Sequence, residues 1–275
     1  MYAKKKVLSS LKYSLSHEFF LNNNLGSYFN TSFIGCNANR RQGLLVCRTE
    51  NGDYVLLSSM NEVIMQNKNE YDLGVYTYPG KNEHQGLNYL HDIKVLPLPT
   101  AIYRMGPISF KKEMLLLNYE DTLLIRYTLL ETSQPVVMEL KPFLAMRSSA
   151  ALNQELKNLR VETVKNGIVV SPGDRVPSLF IQGSNDFSIL HHTSFHHGVE
   201  YIHDNNQNER SLDVLLMPCS FRIKLYPGKP FITSASTSCK EPASLFSLFY
   251  DNLRLKQLNH QLKVSKERRI FPAMN

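Results

Sequence analysis

The side chains best suited to binding chemistry concentrate in polar loops. Amide, guanidinium and aromatic groups match the hydroxyls and C–H faces of sugars, although the chain has no tryptophan. Such groups fall in Asn39–Gln42, Tyr76–Gln85 and Asn88–His91. We therefore predict a site for substrate binding or a domain interface, made of Asn39, Arg40, Arg41, Gln42, Tyr78 and His84. An alternative fits equally well, in which both arginines bind loop carbonyls and Tyr78 fills the edge of the core.

Residues that could carry out catalysis form no recognisable motif. Glycoside hydrolysis needs two carboxylates that flank one bond. The candidates are scattered over predicted turns and strands: Glu62, Glu83, Asp92, Glu113, Glu120 and Asp121. The histidine tract from His191 to His197 is the obvious metal candidate, but strand residues five apart point to opposite faces. Nucleotide-binding and nucleophile-elbow motifs are absent from the sequence. We predict no catalytic residue, no metal and no cofactor.

The composition indicates a globular protein. Of 275 residues, 43% are hydrophobic and 20% are charged. The excess of basic residues lies at the two termini, so the formal charge of +7 does not indicate a nucleic-acid-binding face. No apolar run approaches the roughly 18–20 residues that span a bilayer, and no signal peptide is recognised. The four cysteines are widely spaced, which indicates free thiols. We expect a cytoplasmic protein that binds neither nucleic acid nor membrane.

Short apolar runs separated by turn residues indicate strands along most of the chain. Asn51-Gly52 and Asn166-Gly167 predict tight hairpins, the first with a type I′ turn. We predict a regular meander from Thr100 to Phe143, a helix from Ala145 to Asn158, and a loose loop from Gly74 to Pro99. About a dozen strands with scarcely a helix predict an all-β fold, a large antiparallel sandwich over residues 1–240.

The C-terminal segment follows a different pattern. Glu241-Pro242 is typical of a helix start. Apolar residues then recur at helical spacing, at Leu245, Leu248, Phe249, Leu255, Leu258 and Leu262. We interpret residues 241–275 as an amphipathic linker helix that leads toward a domain absent from the chain.

Several segments, taken in order, carry a family resemblance. They are NNNLGSYFNTSFIGCNANRRQGLLV, TYPGKNEHQGLNYL, LPLPTAIYRM, SFHHGVEYIHDNNQNERSLD, EPASLFSL and KERR. Together they resemble the N-terminal domain of bacterial and archaeal glycogen debranching enzymes of the amylo-alpha-1,6-glucosidase type. The chain departs from the family pattern at Gln42, where Tyr-His is usual, at Ser27-Tyr28, and at Ser211, which replaces a glycine.

The resemblance implies a β-supersandwich of the galactose-mutarotase-like kind. In the full enzyme a glucoamylase-type (α/α)6 barrel follows and holds the general acid and base. The resemblance therefore implies a non-catalytic domain that supports the glucosidase domain and contacts α-glucan through its loops. One alternative is a freestanding aldose epimerase that uses His84 or a member of the histidine tract. Another is an assembly module that forms homo-oligomers through the stripe from Leu245 to Leu262.

Overall fold

The structure is a computed structural model that describes residues 2–4, 10–83, 85–132, 134–156, 158–173, 176–184, 186–206 and 210–253. The helices are α1 (Leu11–Leu15), α2 (Gln85–Tyr89) and α3 (residues 242–253). The strands are β1 (Tyr2–Lys4), β2 (Glu18–Asn22), β3 (Tyr28–Ser32), β4 (Gly43–Thr49), β5 (Gly52–Gln66), β6 (Asn69–Asp72), β7 (Tyr76–Tyr78), β8 (Lys81–Glu83), β9 (Leu90–Lys94), β10 (Thr100–Met105), β11 (Ile108–Leu116), β12 (Thr122–Glu131), β13 (Val136–Ser148), β14 (Arg160–Val164), β15 (Gly167–Ser171), β16 (Leu179–Gly183), β17 (Ser188–Leu190), β18 (Ser194–Glu200), β19 (Leu212–Met217), β20 (Ser220–Leu225) and β21 (Phe231–Ser236).

Two large antiparallel sheets dominate the architecture. The nine-stranded sheet has the order β1-β9-β10-β11-β12-β21-β16-β15-β14. The ten-stranded sheet has the order β17-β20-β13-β5-β4-β3-β2, and β6, β19 and β18 extend it from β5 and β13. A separate hairpin joins β7 to β8. The prediction of an all-β antiparallel sandwich is confirmed.

The two sheets pack face to face around one large core. Leu45 of the ten-stranded sheet and Phe110 of the nine-stranded sheet are both fully buried in it. Alternation along β12 places Leu123 and Ile125 in this core and Leu124 in a second cluster on the outer face. Both faces of the central strands are thus covered, which explains why these strands read as continuous apolar runs.

Helix α3 covers part of the outer face of the nine-stranded sheet. Phe246 is buried there against Leu115 and Leu124. The Arg126 guanidinium lies 4.4 Å from the centroid of the Phe246 ring and 4.3 Å from that of Tyr250, which is a cation–π geometry. The first turns of the predicted linker therefore pack on the sandwich. Leu255, Leu258 and Leu262 lie outside the described residues.

Both predicted hairpins are confirmed, but the first turn differs from the prediction. Thr49 pairs with Gly52, so Glu50 and Asn51 occupy the turn, and the positive φ of 109° falls on Gly52. In the second hairpin Asn166 takes φ 58°. A Cβ on Gly167 would stand 1.9 Å from the Ile181 carbonyl oxygen. Glycine is therefore required at position 167 by the close approach of β16 rather than by the turn.

Two other predictions of local structure were wrong. The helix predicted from Ala145 to Asn158 is absent from the described residues 145–156 and 158, because β13 continues to Ser148 and pairs there with Tyr54 of β5. Sheet pairing that buries Ala145 and Arg147 outweighs the weak helical pattern of this segment. The predicted loose loop from Gly74 to Pro99 contains β7, β8, α2 and β9, and β9 belongs to the nine-stranded sheet.

Candidate functional site

The predicted residues Asn39–Gln42 form a tight loop between β3 and β4. The Asn39 side-chain oxygen accepts a hydrogen bond of 3.0 Å from the Arg41 backbone N–H, which is an Asx turn. Gln42 is fully buried and accepts from the backbone N–H groups of Ala38 and Asn39 at 2.5 and 3.2 Å. Its Nε2 donates to Glu18 at 2.7 Å. Gln42 therefore fixes the shape of the loop, and the cleft does not include it.

Arg40 is held by a loop that lies far away in the sequence. Its backbone N–H and its Nε both donate to Oδ2 of Asp204, at 2.6 and 3.0 Å. Its Nη2 donates to Ser211 Oγ at 2.9 Å. The alternative prediction, in which the arginines bind loop carbonyls, is wrong for the Nε and Nη2 of Arg40, because these atoms donate to a carboxylate and a hydroxyl. The side chain keeps 31% of its surface exposed.

A buried polar cluster lies beneath this loop. Arg147 Nη1 donates to the Arg40 carbonyl oxygen at 3.1 Å, and Arg147 pairs with Asp213 at 2.8 Å. The Tyr201 hydroxyl accepts from Arg147 and donates to Asp213 at 2.8 Å. Burial disfavours the charge on Arg147, but the interactions with Tyr201 and Asp213 outweigh it and raise the pKa of Arg147. A permanently charged guanidinium therefore anchors Arg40 from below.

Arg41 differs from Arg40 because its side chain is exposed. Only its backbone is fixed: the carbonyl oxygen accepts from the Tyr28 hydroxyl at 3.0 Å. Among the described residues, no hydrogen bond or ion pair of the Arg41 guanidinium is found. Its five N–H groups are thus available to a ligand.

The loop borders an open cleft of about 610 Å³. Its described lining residues are Asn39, Arg40, Arg41, Ala150, His203 and Asp204. The backbone N–H of His203 donates to the Ala38 carbonyl at 2.8 Å, which joins the two loops that form the walls. The lining combines guanidinium, amide and imidazole groups with one carboxylate among the described residues. Such a set can exchange hydrogen bonds with the hydroxyls of a neutral sugar.

The structure does not bring all predicted site residues together. Tyr78 lies on β7 in an aromatic cluster, where its hydroxyl is 3.5 Å from His196 Nδ1 and its ring is 6.3 Å from that of Tyr76. His196 packs edge-on against Phe143, with ring centroids 4.3 Å apart. His84 lies outside the described residues. The predicted site thus separates into the Asn39–Gln42 loop and the cluster around Tyr78.

Sequence reasoning missed the residues that position the loop, namely Glu18, Arg147, Asp204, Ser211 and Asp213. No local signal reveals them, because Arg40 and Asp204 stand 164 positions apart. A further open cleft of about 640 Å³, lined in part by Lys224, Tyr226 and Asp186, contains none of the predicted site residues.

The described residues contain neither a metal-binding cluster nor a helix that could span a membrane. The described residues hold no group of three or more His, Cys, Asp or Glu side chains placed to bind a metal ion. None of the described helices has the length and hydrophobicity needed to cross a membrane.

These features define an antiparallel β-sandwich domain whose polar loops form a cleft beside the ends of strands in the ten-stranded sheet. Residues 17–232 match the family model described as glycogen debranching enzyme N terminal, and the chain belongs to this family. The predicted resemblance is therefore confirmed. The matched region includes the Asn39–Gln42 loop and its partners Glu18, Asp204 and Ser211.

The solved structures that align with this chain have low sequence identity to it and low TM-scores. A bacterial glucoamylase complexed with acarbose is 10% identical, with a TM-score of 0.46, and the match covers 95% of this chain and 37% of that one. A heparan sulfate lyase from Pedobacter heparinus is 13% identical, with a TM-score of 0.34 and coverages of 59% and 21%. A polysaccharide lyase is 11% identical, with a TM-score of 0.31 and coverages of 82% and 33%. This chain thus spans well under half the length of each. No match was found among curated protein sequences.

Proposed function

We propose that this protein is the non-catalytic N-terminal domain of a glycogen debranching enzyme. In this proposal it supports a glucoamylase-type glucosidase domain and binds α-glucan at the Asn39–Arg41 cleft. The observation that carries the proposal is the family match over residues 17–232. The chemistry of the cleft supports the glucan-binding part.

The two adjacent arginines have different tasks in this proposal. Arg40 is a positioning residue, because Asp204 and Ser211 already occupy its Nε and Nη2. Arg41 is the residue that contacts sugar, since its exposed guanidinium can donate to two neighbouring hydroxyls at once. The Asx turn of Asn39 and the buried amide of Gln42 hold the backbone in place for this contact.

The arrangement of carboxylates supports a non-catalytic role. Glycoside hydrolysis uses two carboxyl groups about 5–9.5 Å apart on either side of the bond. Within the described lining of the cleft, Asp204 is the single carboxylate, and Arg40 engages its Oδ2 twice. We expect the chain to release no glucose from phosphorylase-limit glycogen, and robust release would refute the non-catalytic assignment.

Glucan binding is tested by electrophoresis of the chain through gels that contain glycogen. We expect glycogen to retard the wild-type chain, and Arg41→Ala to weaken binding roughly ten- to a hundredfold. That range corresponds to about 1.5–3 kcal/mol for hydrogen bonds from a charged donor. The matched control is Arg160→Ala, because Arg160 is 78% exposed on β14 of the other sheet. An Arg41→Ala chain that is retarded like wild type would remove the cleft from the proposal.

We also propose a cytoplasmic location. Its support is the state of the cysteines, since Cys36, Cys47 and Cys219 are buried free thiols and Cys239 is an exposed one. Free thiols persist in reducing compartments. Fractionation of cells that express the native gene tests the location, and recovery of the protein in the secreted fraction would contradict it.

A further inference from the structure

An exposed aromatic side chain lies on the outer face of strand β2, close to the candidate cleft. Strand β2 is at the end of the ten-stranded sheet and pairs with β3. Alternation along β2 buries Phe19 in the core and turns Glu18, Phe20 and Asn22 outward. Phe20 remains 58% exposed. A single exposed apolar residue is normal on a protein surface, but the neighbouring side chains make Phe20 part of a larger surface.

Tyr28 of β3 connects Phe20 to the Arg41 loop. Asn22 pairs with Tyr28, so Phe20 and Tyr28 are diagonal neighbours on one face, with ring centroids 6.0 Å apart. The Tyr28 hydroxyl donates to the Arg41 carbonyl oxygen at 3.0 Å. Burial, and secondarily Asp53, raises the pKa of Tyr28, so the phenol keeps the proton that it donates. Two rings and the Arg41 loop are thereby joined into one surface, which we call the aromatic strip (Phe20, Tyr28 and Arg41).

The chemistry around the strip matches a neutral pyranose better than another ligand. The C–H face of a sugar packs on an aromatic ring, while its hydroxyls need donors and acceptors at the ring edge. Asn22, exposed beside Phe20, and the Arg41 guanidinium supply such groups. Glu18 and Asp53 carry the nearby negative charges, and each already has a partner: Gln42 donates to Glu18 Oε1, and Arg48 pairs with Asp53. The strip thus offers polar groups that suit hydroxyls next to an aromatic surface.

We infer that Phe20 and Tyr28 form a stacking platform for an α-glucan chain that continues from the Arg41 cleft along the edge of the ten-stranded sheet. The inference rests on the proposed function and extends it, because it adds two contact residues and a direction for the chain. Phe20 and Tyr28 bind the apolar faces of successive glucose units, and Arg41 binds their hydroxyls.

The first test compares Phe20→Ala with Phe195→Ala in glycogen-containing gels. Phe195 is a matched control, since it is 45% exposed on β18, and β3, β4, β5, β13 and β19 separate it from β2. We expect Phe20→Ala to bind about three- to tenfold more weakly, in line with a lost aromatic contact. Phe195→Ala is expected to bind like wild type. Unchanged far-ultraviolet circular dichroism of both variants verifies that they are folded.

The second test uses the absence of tryptophan from the chain. Phe20→Trp places the single tryptophan of the variant in the strip, where it can be excited selectively over the 14 tyrosines of the chain. The variant keeps an aromatic ring at this position, so binding is retained. Titration with maltoheptaose should change the emission of this variant and saturate, whereas Phe195→Trp should not respond.

The outcomes separate the inference from the proposed function. If Phe20→Ala binds like wild type while Arg41→Ala does not, the platform is wrong and the cleft stands. If glycogen does not retard the wild-type chain, both the stacking platform and the glucan-binding part of the proposed function are wrong. If Phe20→Ala instead halves the mass in sedimentation, the strip is a contact between two copies of the chain, and the inference is overturned.

Discussion

The buried carboxylate of Asp213 accepts hydrogen bonds at both oxygens. Its replacement by asparagine tests how much its negative charge contributes to the stability of the fold. Its Oδ2 accepts from Arg147 Nε at 2.9 Å, from Arg147 Nη2 at 2.8 Å and from the Tyr201 hydroxyl at 2.8 Å. Its Oδ1 accepts from the backbone N–H groups of Asn153 and Val214 at 2.8 and 3.0 Å. Asparagine has almost the same volume, so Asp213→Asn removes the charge and one acceptor without creating a cavity.

The expected cost follows from the burial of the pair. The side chains of Arg147 and Asp213 are 3% and 0% exposed, so the variant leaves a guanidinium in the interior without its counter-charge. Removal of one partner of such a pair costs about 3–5 kcal/mol. With a dependence of about 3 kcal/mol per molar urea, the unfolding midpoint falls by about 1–2 M. Urea titration followed by circular dichroism measures this shift.

Two further variants locate the origin of the effect. Tyr201→Phe removes one neutral partner and should cost less, about 1–3 kcal/mol, because the charged pair remains. The double variant Arg147→Met, Asp213→Leu should recover much of the loss, since apolar replacement of a whole buried pair is often neutral or stabilising. A midpoint for Asp213→Asn within about 0.3 M of wild type, equivalent to less than about 1 kcal/mol, would refute the reasoning about the unpaired charge.

Two other predictions follow from buried charges. Lys112 of β11 reaches across the core to Glu62 of β5 at 2.7 Å, and Tyr127 also donates to Glu62 at 2.7 Å. Lys112→Met should therefore lower the free energy of unfolding by about 3–5 kcal/mol, and adding Glu62→Gln should restore part of it in urea titrations. A Lys112→Met chain as stable as wild type would mean that the ion pair does not join the sheets. Burial disfavours the charge on Glu139, but the neighbouring Ser220 hydroxyl, a hydrogen bond from Arg222 and the charge of Lys141 outweigh it, so the pKa of Glu139 is lowered from 4.5. Its contribution to stability is present above about pH 4.5 and is lost as the pH falls through the lowered pKa. Glu139→Gln should flatten the fall in stability below pH 4.5, and parallel curves for the two proteins from pH 3 to 6 would contradict this.

The strands and hairpins were largely predictable because their signals are local. Both hairpins form where an asparagine precedes a glycine, and the positive φ of the reversal falls on Gly52 in the first and on Asn166 in the second. The predicted meander from Thr100 to Phe143 corresponds to β10, β11, β12 and most of β13. The prediction of a helix after this meander was wrong, because the structure of that segment depends on contacts between distant parts of the chain. A weak local pattern from Ala145 onward competed with pairing to β5, which is distant in the sequence.

The candidate site was predictable only in part. The type and density of the residues in Asn39–Gln42 drew attention to the correct loop, but not to the different tasks of its members. Arg40 appeared equivalent to Arg41, and Gln42 appeared to be a binding residue. The exposed ring of Phe20 had a local signal in the alternation of Glu18–Asn22, which predicts that Phe19 and Phe20 face opposite sides.

The sequence by itself determined the fold class, the positions of the main turns and the family, because these depend on periodicity and on motifs that lie within short stretches of chain. Tertiary structure alone decided which arginine side chain is anchored and which is exposed. Asp204 reaches Arg40 across 164 positions, and Arg147 meets Asp213 across 66, because sheet pairing brings distant segments together. Periodicity shows which way a side chain points, but only the packed sandwich determines which partner it meets there.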